Sequence, residues 1–172
     1  MKVPRDAKTR GEWVELLFMA RAAREGLKVS RPHGDARYDV IVESATGLYR
    51  VQVKSTLFRR RGCYECLCFW SRVGKKRVAK RYRRGEVDFV AAYVVAEDAW
   101  FIIPVAEKRT TSLYLPPKAR VAKSRYGKYH EAWDLLGATG EGLTIQACAD
   151  VLAELEELAR REIGREQETG NR

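Results

Sequence analysis

Residues 38–56 read YDVIVESATGLYRVQVKST, two β-branched runs separated by a short glycine-containing loop. Runs of that composition bounded by turn residues are strands, and the loop SATG joins them as an antiparallel hairpin. Side chains alternate across a strand, so Arg50, Gln52 and Lys54 share one face while Tyr49, Val51 and Val53 share the other. On the first strand Asp39 shares a face with Ile41, and Val40 and Val42 lie opposite. Pairing about the loop carries Asp39, at the beginning of one strand, to the same end of the hairpin as Gln52 to Lys54, near the end of the other. The plain alternative is that Asp39 caps a turn and that Gln52 and Lys54 form the solvent face of an amphipathic strand.

An acid beside a carboxamide oxygen can hold a hard cation, magnesium (Mg2+) or manganese (Mn2+), with the backbone carbonyl of Val53 as a third ligand. Lys54 on the same face can then touch an attacking water or a scissile phosphate. This is equipment for metal-assisted phosphodiester hydrolysis, in which the cation polarises the phosphate and the ammonium stabilises developing charge. Glu15 stands in an otherwise apolar helical run, WVELLFMARAA, where a carboxylate is costly unless paired or bound to metal, and it can complete the set.

Charge points to the partner. The chain of 172 residues has a formal net charge of +10. Between residues 59 and 84 lie Arg59, Arg60, Arg61, Arg72, Lys75, Lys76, Arg77, Lys80, Arg81, Arg83 and Arg84, with Glu65 as the one acid. The whole excess therefore sits in this segment, since the other 22 basic and 22 acidic residues cancel. A neutral body with one concentrated cationic segment suits a polyanion such as DNA, and Arg59 to Arg61, Lys75 to Arg77, Lys80, Arg81, Arg83 and Arg84 are the candidate DNA-binding residues. A solvated basic loop is the alternative. Tyr64, Trp70 and Tyr82, set among these cations, can stack on bases or sit in the sheet.

No window is apolar and long enough for a membrane span, and MKVPRDAKTR has no apolar core of a signal peptide, so the expected location is cytoplasmic. Of the cysteines, Cys63, Cys66 and Cys68 are bunched and Cys148 is distant, which makes no disulfide framework. On a strand Cys66 and Cys68 share a face and Cys63 faces away, so buried packing is favoured over a zinc site with His130 or Cys148. Nothing in the pattern calls for a small-molecule cofactor.

A capping box, Thr9 and Glu12, predicts a helix starting near residue 10 and ending at Gly26, apolar nearly all round and therefore packed on more than one side. LKVS, the hairpin, CYECLCFW, the pair within VDFVAAYVVAEDAWFIIPV, and SLYL read as strands. A brief helix around KYHEAWDLL and a longer one near 143–163 follow. The expected fold class is α/β or α+β, helices around a mixed sheet.

The order Gly11-x-x-x-Glu15 on a first helix, Tyr38-Asp39 opening a strand, and Gln52-Val53-Lys54-Ser55-Thr56 closing the next resembles the PD-(D/E)xK nuclease superfamily. Within it the pattern is similar to archaeal Holliday junction resolvases, and more so to a bacterial endonuclease-like group that includes some homing endonucleases, in which Gln-x-Lys is accepted. The resemblance runs from about residue 9 to YHEAWDLL. It implies a restriction-endonuclease-like αβββαβ core, divalent-metal DNA cleavage, and a homodimer or higher homo-oligomer. Residues 1–140 are then the nuclease-like domain, with 59–84 a basic insertion and 141–172 a C-terminal helical extension. The chain departs from the family pattern at Tyr38, where proline is usual, and at Gln52, where a second acid is usual. The loss of that charge leaves a catalytically inactive DNA-binding module of the same fold as the alternative to an endonuclease.

Overall fold

Asp6 starts the first helix. Its carboxylate accepts the Thr9 main-chain N–H at 2.8 Å and the Thr9 hydroxyl at 2.9 Å, and α1 runs Ala7–Arg24. The expected capping box with Thr9 as cap is thus replaced by a cap three residues earlier, because a carboxylate takes both Thr9 donors and the charge suits a helix N-terminus. Gly26 follows the helix at φ +80°, the left-handed conformation that closes helix C-termini. Val14, Phe18 and Ala22 form one buried stripe, while Leu16 is 57% exposed. Among the described residues, then, α1 packs by one side and not by several, as its composition had suggested.

The structure, a computed structural model, describes residues 3–68, 71–73, 76–78, 82, 85–107 and 111–139. After α1 come β1 (Lys28–Ser30), β2 (Val40–Ser44), β3 (Gly47–Thr56), β4 (Arg59–Arg60), β5 (Cys63–Leu67), β6 (Ser71–Val73), β7 (Lys76–Val78), β8 (Phe89–Val94), β9 (Ala99–Pro104) and β10 (Ser112–Leu115). The main sheet has the order β1-β2-β3-β8-β9, with β3 and β8 parallel and every other pair antiparallel. The hairpin has the expected register, Val42 opposite Tyr49 and Ser44 opposite Gly47. A second sheet, β10-β5-β4, covers the other face.

Two cores result, one on each side of the main sheet. Facing α1, Val14, Phe18 and Ala22 pack against Val40, Val42, Val51, Val53, Tyr93, Trp100 and Ile102. On the opposite face Val90, Ala92, Val94, Phe101 and Ile103 meet Tyr64, Cys66, Cys68, Leu113 and Leu115. Cys66 and Cys68 are fully buried there, as packing residues, and Cys63 stands on the outer face.

Where the resemblance implies a helix between β3 and β8, the described part of that crossover consists of the short strands β4 to β7. The expected helix at KYHEAWDLL is also absent: two 3-10 turns, Gly127–Tyr129 and Trp133–Leu136, flank a bridge between His130 and Phe101. Glu131 breaks it. At φ 50° it leaves helical space, and its carboxylate accepts the Trp100 N–H at 2.7 Å and the Trp133 indole N–H at 2.9 Å, contacts a continuous helix would forgo. The expected helix near 143–163, and with it the 141–172 extension and Cys148, lies outside the described residues. Among the described residues no helix is long and apolar enough to cross a membrane.

Candidate active site

The site follows from where β2 stops. Its ladder with β3 ends at Val40 opposite Val51, and the Asp39 N–H still reaches the Val51 carbonyl at 3.0 Å. Beyond that point β3 has no β2 partner on this edge, and the next N–H directed there, that of Val53, is free. Asp39 supplies the acceptor: its Oδ2 takes the Val53 N–H at 2.8 Å and also the Gln52 side-chain amide. A strand end and an acid thus satisfy each other where the sheet opens.

Because β3 is central, both of its faces are covered, and Gln52 is only 7% exposed. Gln52 and Lys54 pair laterally with Val90 and Ala92 and so stand on the face of the second core, not on a solvent face. Glu15 comes from α1. Its Oε2 accepts from Arg31 at 2.9 Å, with the Glu15 side chain 25% exposed. Burial first, and then the Asp39 charge, hold the Glu15 carboxyl above its ordinary range against the pull of Arg31 and Lys54. Burial also pushes Asp39 up, against Lys54, the Val53 N–H, the Gln52 amide and Arg31. Two partly desolvated acids therefore share one electrostatic environment with Lys54 and Arg31.

The residues expected from the sequence come together here: Glu15, Asp39, Gln52, Lys54 and the main chain of Val53. The amide nitrogen of Gln52 is turned to Asp39, which leaves Oε1 as its atom for a cation. Among the described residues no three His, Cys, Asp or Glu side chains form a metal-ligand cluster. Of the basic segment, Arg59, Arg60 and Arg61 are exposed on β4 and the turn after it. Lys76 and Arg77 stand in β7, and Lys75, Lys80, Arg81, Arg83 and Arg84 lie outside the described residues, as does Trp70.

The sequence profile of the PD-(D/E)XK endonuclease family matches residues 5–136. The chain belongs to that family. Among solved structures, this PD-(D/E)XK chain is similar to the bacterial homing endonuclease I-Ssp6803I, at 26% identity and a TM-score of 0.66, over 81% of this chain and 99% of that one. The α+β architecture with its mixed five-stranded sheet is the PD-(D/E)XK fold. No curated protein is matched.

Two residues near the site were not singled out for it in the sequence. Arg31, immediately after β1, pairs with Glu15 and acts on Asp39. Its only sequence signal is a basic residue between a strand and Pro32. Tyr82 is packed against the second core, and its hydroxyl is pushed far up by burial, then by Cys68 and by Asp39. Tyr64, 5% exposed and bonded to Glu97 at 2.8 Å, is a sheet-packing residue and not a stacking platform for bases. Asp88 belongs to the fold: it clamps Arg50 through two side-chain contacts, at 2.9 and 3.0 Å, and accepts the Arg50 N–H at 2.8 Å where β3 and β8 begin their parallel ladder.

Proposed function

We propose that this chain is a divalent-metal-dependent DNA endonuclease that hydrolyses phosphodiester bonds at the opening beside β3. The observation that carries the reading is the Asp39 carboxylate, fixed by the Val53 N–H and the Gln52 amide, with Glu15 and Lys54 in electrostatic reach. A hard cation fits these residues. Both acids are held above the ordinary carboxylate range by burial, and each uses only one oxygen in hydrogen bonds among the described residues, Oδ2 of Asp39 and Oε2 of Glu15. Asp39, Glu15, the Oε1 of Gln52 and the Val53 carbonyl would hold Mg2+ or Mn2+, which supplies polarisation of the phosphate and a lowered pKa of bound water. Gln52 positions Asp39 by its amide. Lys54, on the same face as Gln52, orients the phosphate or the water and stabilises charge as the bond breaks. Arg31 favours the ionised form of Glu15, against burial and Asp39, and holds it in place. Arg59 to Arg61 and the rest of the basic segment grip the phosphate backbone. Cutting both strands of a duplex calls for two such sites, which favours a symmetric homodimer or higher homo-oligomer.

Supercoiled, linear and branched DNA in Mg2+ or Mn2+ tests this. The expected result is cleavage that falls about 10²–10³-fold in Lys54→Ala and in Asp39→Ala, the cost typical of removing one charge-stabilising group. Full-rate cleavage in both variants would place the chemistry elsewhere. A second reading, a DNA-binding module without cleavage, is favoured by one observation, the neutral amide of Gln52 where the wider superfamily pattern has an acid. It expects salt-sensitive binding and no cleavage under any metal.

A further inference from the structure

We propose that Leu57 and Phe58 form an apolar wedge that enters a base step of duplex DNA beside the cleavage site. The inference rests on the nuclease reading and adds a way in which the DNA is deformed. Lone exposed apolar side chains are ordinary on protein surfaces, and Leu16 and Leu48 are of that kind. Leu57 and Phe58 differ. They are consecutive, 50% and 62% exposed, and lie in the bend between β3 and β4, where no strand alternation turns one of them inward.

Their backbone is held. The Phe58 N–H donates to the Thr56 hydroxyl oxygen at 3.0 Å, that hydroxyl donates to the Glu65 carbonyl at 2.7 Å, and the Phe58 carbonyl accepts the Glu65 N–H at 2.9 Å. Thr56 itself is 6% exposed. A buried threonine thus pins the bend to β5, so the apolar pair projects from a fixed base. An anchored backbone has little ordering entropy left to lose when the wedge inserts.

The surroundings name the occupant. Arg59, Arg60 and Arg61 follow directly, all exposed, and the acids nearest in sequence are Glu65 and Glu43. Cations beside exposed apolar side chains suit a polyanion with an apolar stacked interior, which is duplex DNA and not a lipid-free acidic surface. Phe58 is four residues from Lys54, so their backbones are within about 13 Å of each other, and even with the reach of both side chains an inserted ring falls within about one helical turn of the phosphate that Lys54 meets.

Permanganate, which oxidises unstacked thymines, reads this on plasmid DNA bound by the full chain in Ca2+, with cut positions mapped in Mg2+ on the same plasmid. The expected result is thymines that become reactive within about one helical turn of the cuts, with the reactivity lost and duplex binding weakened about tenfold in Phe58→Ala. Phe58→Trp, which keeps a ring at an exposed position, retains the reactivity. Cleavage without reactive thymines, or reactivity unchanged in Leu57→Ala/Phe58→Ala, overturns the wedge and leaves the nuclease reading intact. Absence of both cleavage and salt-sensitive binding overturns the two together.

Discussion

Replacing Gln52 by glutamate supplies the second acid of the superfamily pattern, and its physical consequences follow from one contact. In the native protein the Gln52 amide donates to Asp39 Oδ2, which also takes the Val53 N–H, in a spot where Gln52 is 7% exposed. Glutamate has no donor when ionised, so Asp39 loses a charge-assisted hydrogen bond of about 1.5–3 kcal/mol. It gains a like charge instead, and two carboxylates ~4 Å apart repel by about 4 kcal/mol at an effective dielectric of ~20. The protein limits this by keeping one proton on the pair, which at pH 7 costs about 3.7 kcal/mol for a carboxyl of ordinary pKa ~4.3 and restores a hydrogen bond. Metal-free Gln52→Glu is therefore expected to be about 3–4 kcal/mol less stable at pH 7, or roughly 10 °C in Tm for a chain of this size. Raised carboxyl pKa values in the folded state mean stability that is present below the unfolded pKa and lost as pH rises through the folded one, so at pH 5 the deficit shrinks to about 1 kcal/mol. A divalent cation is expected to narrow the gap. The added charge tightens its binding, and at a hundred times its Kd it returns about 2.7 kcal/mol, more in the variant than in the native protein at equal metal. Thermal unfolding by circular dichroism at pH 5 and pH 7, in EDTA and in Mn2+, reads all of this. A variant as stable as the native chain at pH 7 in EDTA would show that Gln52 does not hold Asp39. Equal stabilisation of both proteins by Mn2+ would refute the pair as a cation site.

Asp88→Asn tests the clamp on Arg50. Burial raises the Asp88 pKa, but the Arg50 hydrogen bonds outweigh it and the net shift is downward from 3.8, so its stability is present above that value and lost as pH falls through the lowered one. The native chain should exceed the variant by about 1–2 kcal/mol at neutral pH, allowing for partial exposure, with the gap closing in urea unfolding below about pH 4. Arg59→Ala/Arg60→Ala/Arg61→Ala should weaken binding to all duplexes alike and make the slope of log K against log salt shallower by about 3, measured by fluorescence anisotropy. An unchanged slope would take these arginines out of the DNA contact.

The hairpin was legible in the sequence because it is local: alternation in residues 38–56 and a short glycine-containing loop leave one register that buries Val40, Val42, Val51 and Val53 together. That register alone puts Asp39 beside Gln52. The helix was legible as an apolar run, but its start was not, since Asp6 and Thr9 are both capping residues and only the chain's geometry decides which carries the cap. KYHEAWDLL has helical spacing, yet Glu131 finds better partners in Trp100 and Trp133, which lie far away or across a turn and so leave no trace in a local window.

For the site, residue type and spacing determined that an acid, an amide and an amine would meet at one end of two strands, and the charge run made a polyanion the expected partner. Tertiary structure decided the rest. It placed β3 at the centre of the sheet, so that a strand which reads as half polar is covered on both faces and Gln52 is buried. It ended β2 at Asp39, brought Glu15 across from α1 and set Arg31 against it, a pairing across 16 positions that depends on how a helix lies on a sheet. Periodicity records which face of an element is buried; which other element buries it, and so which charges are desolvated together, is a property of the packed whole.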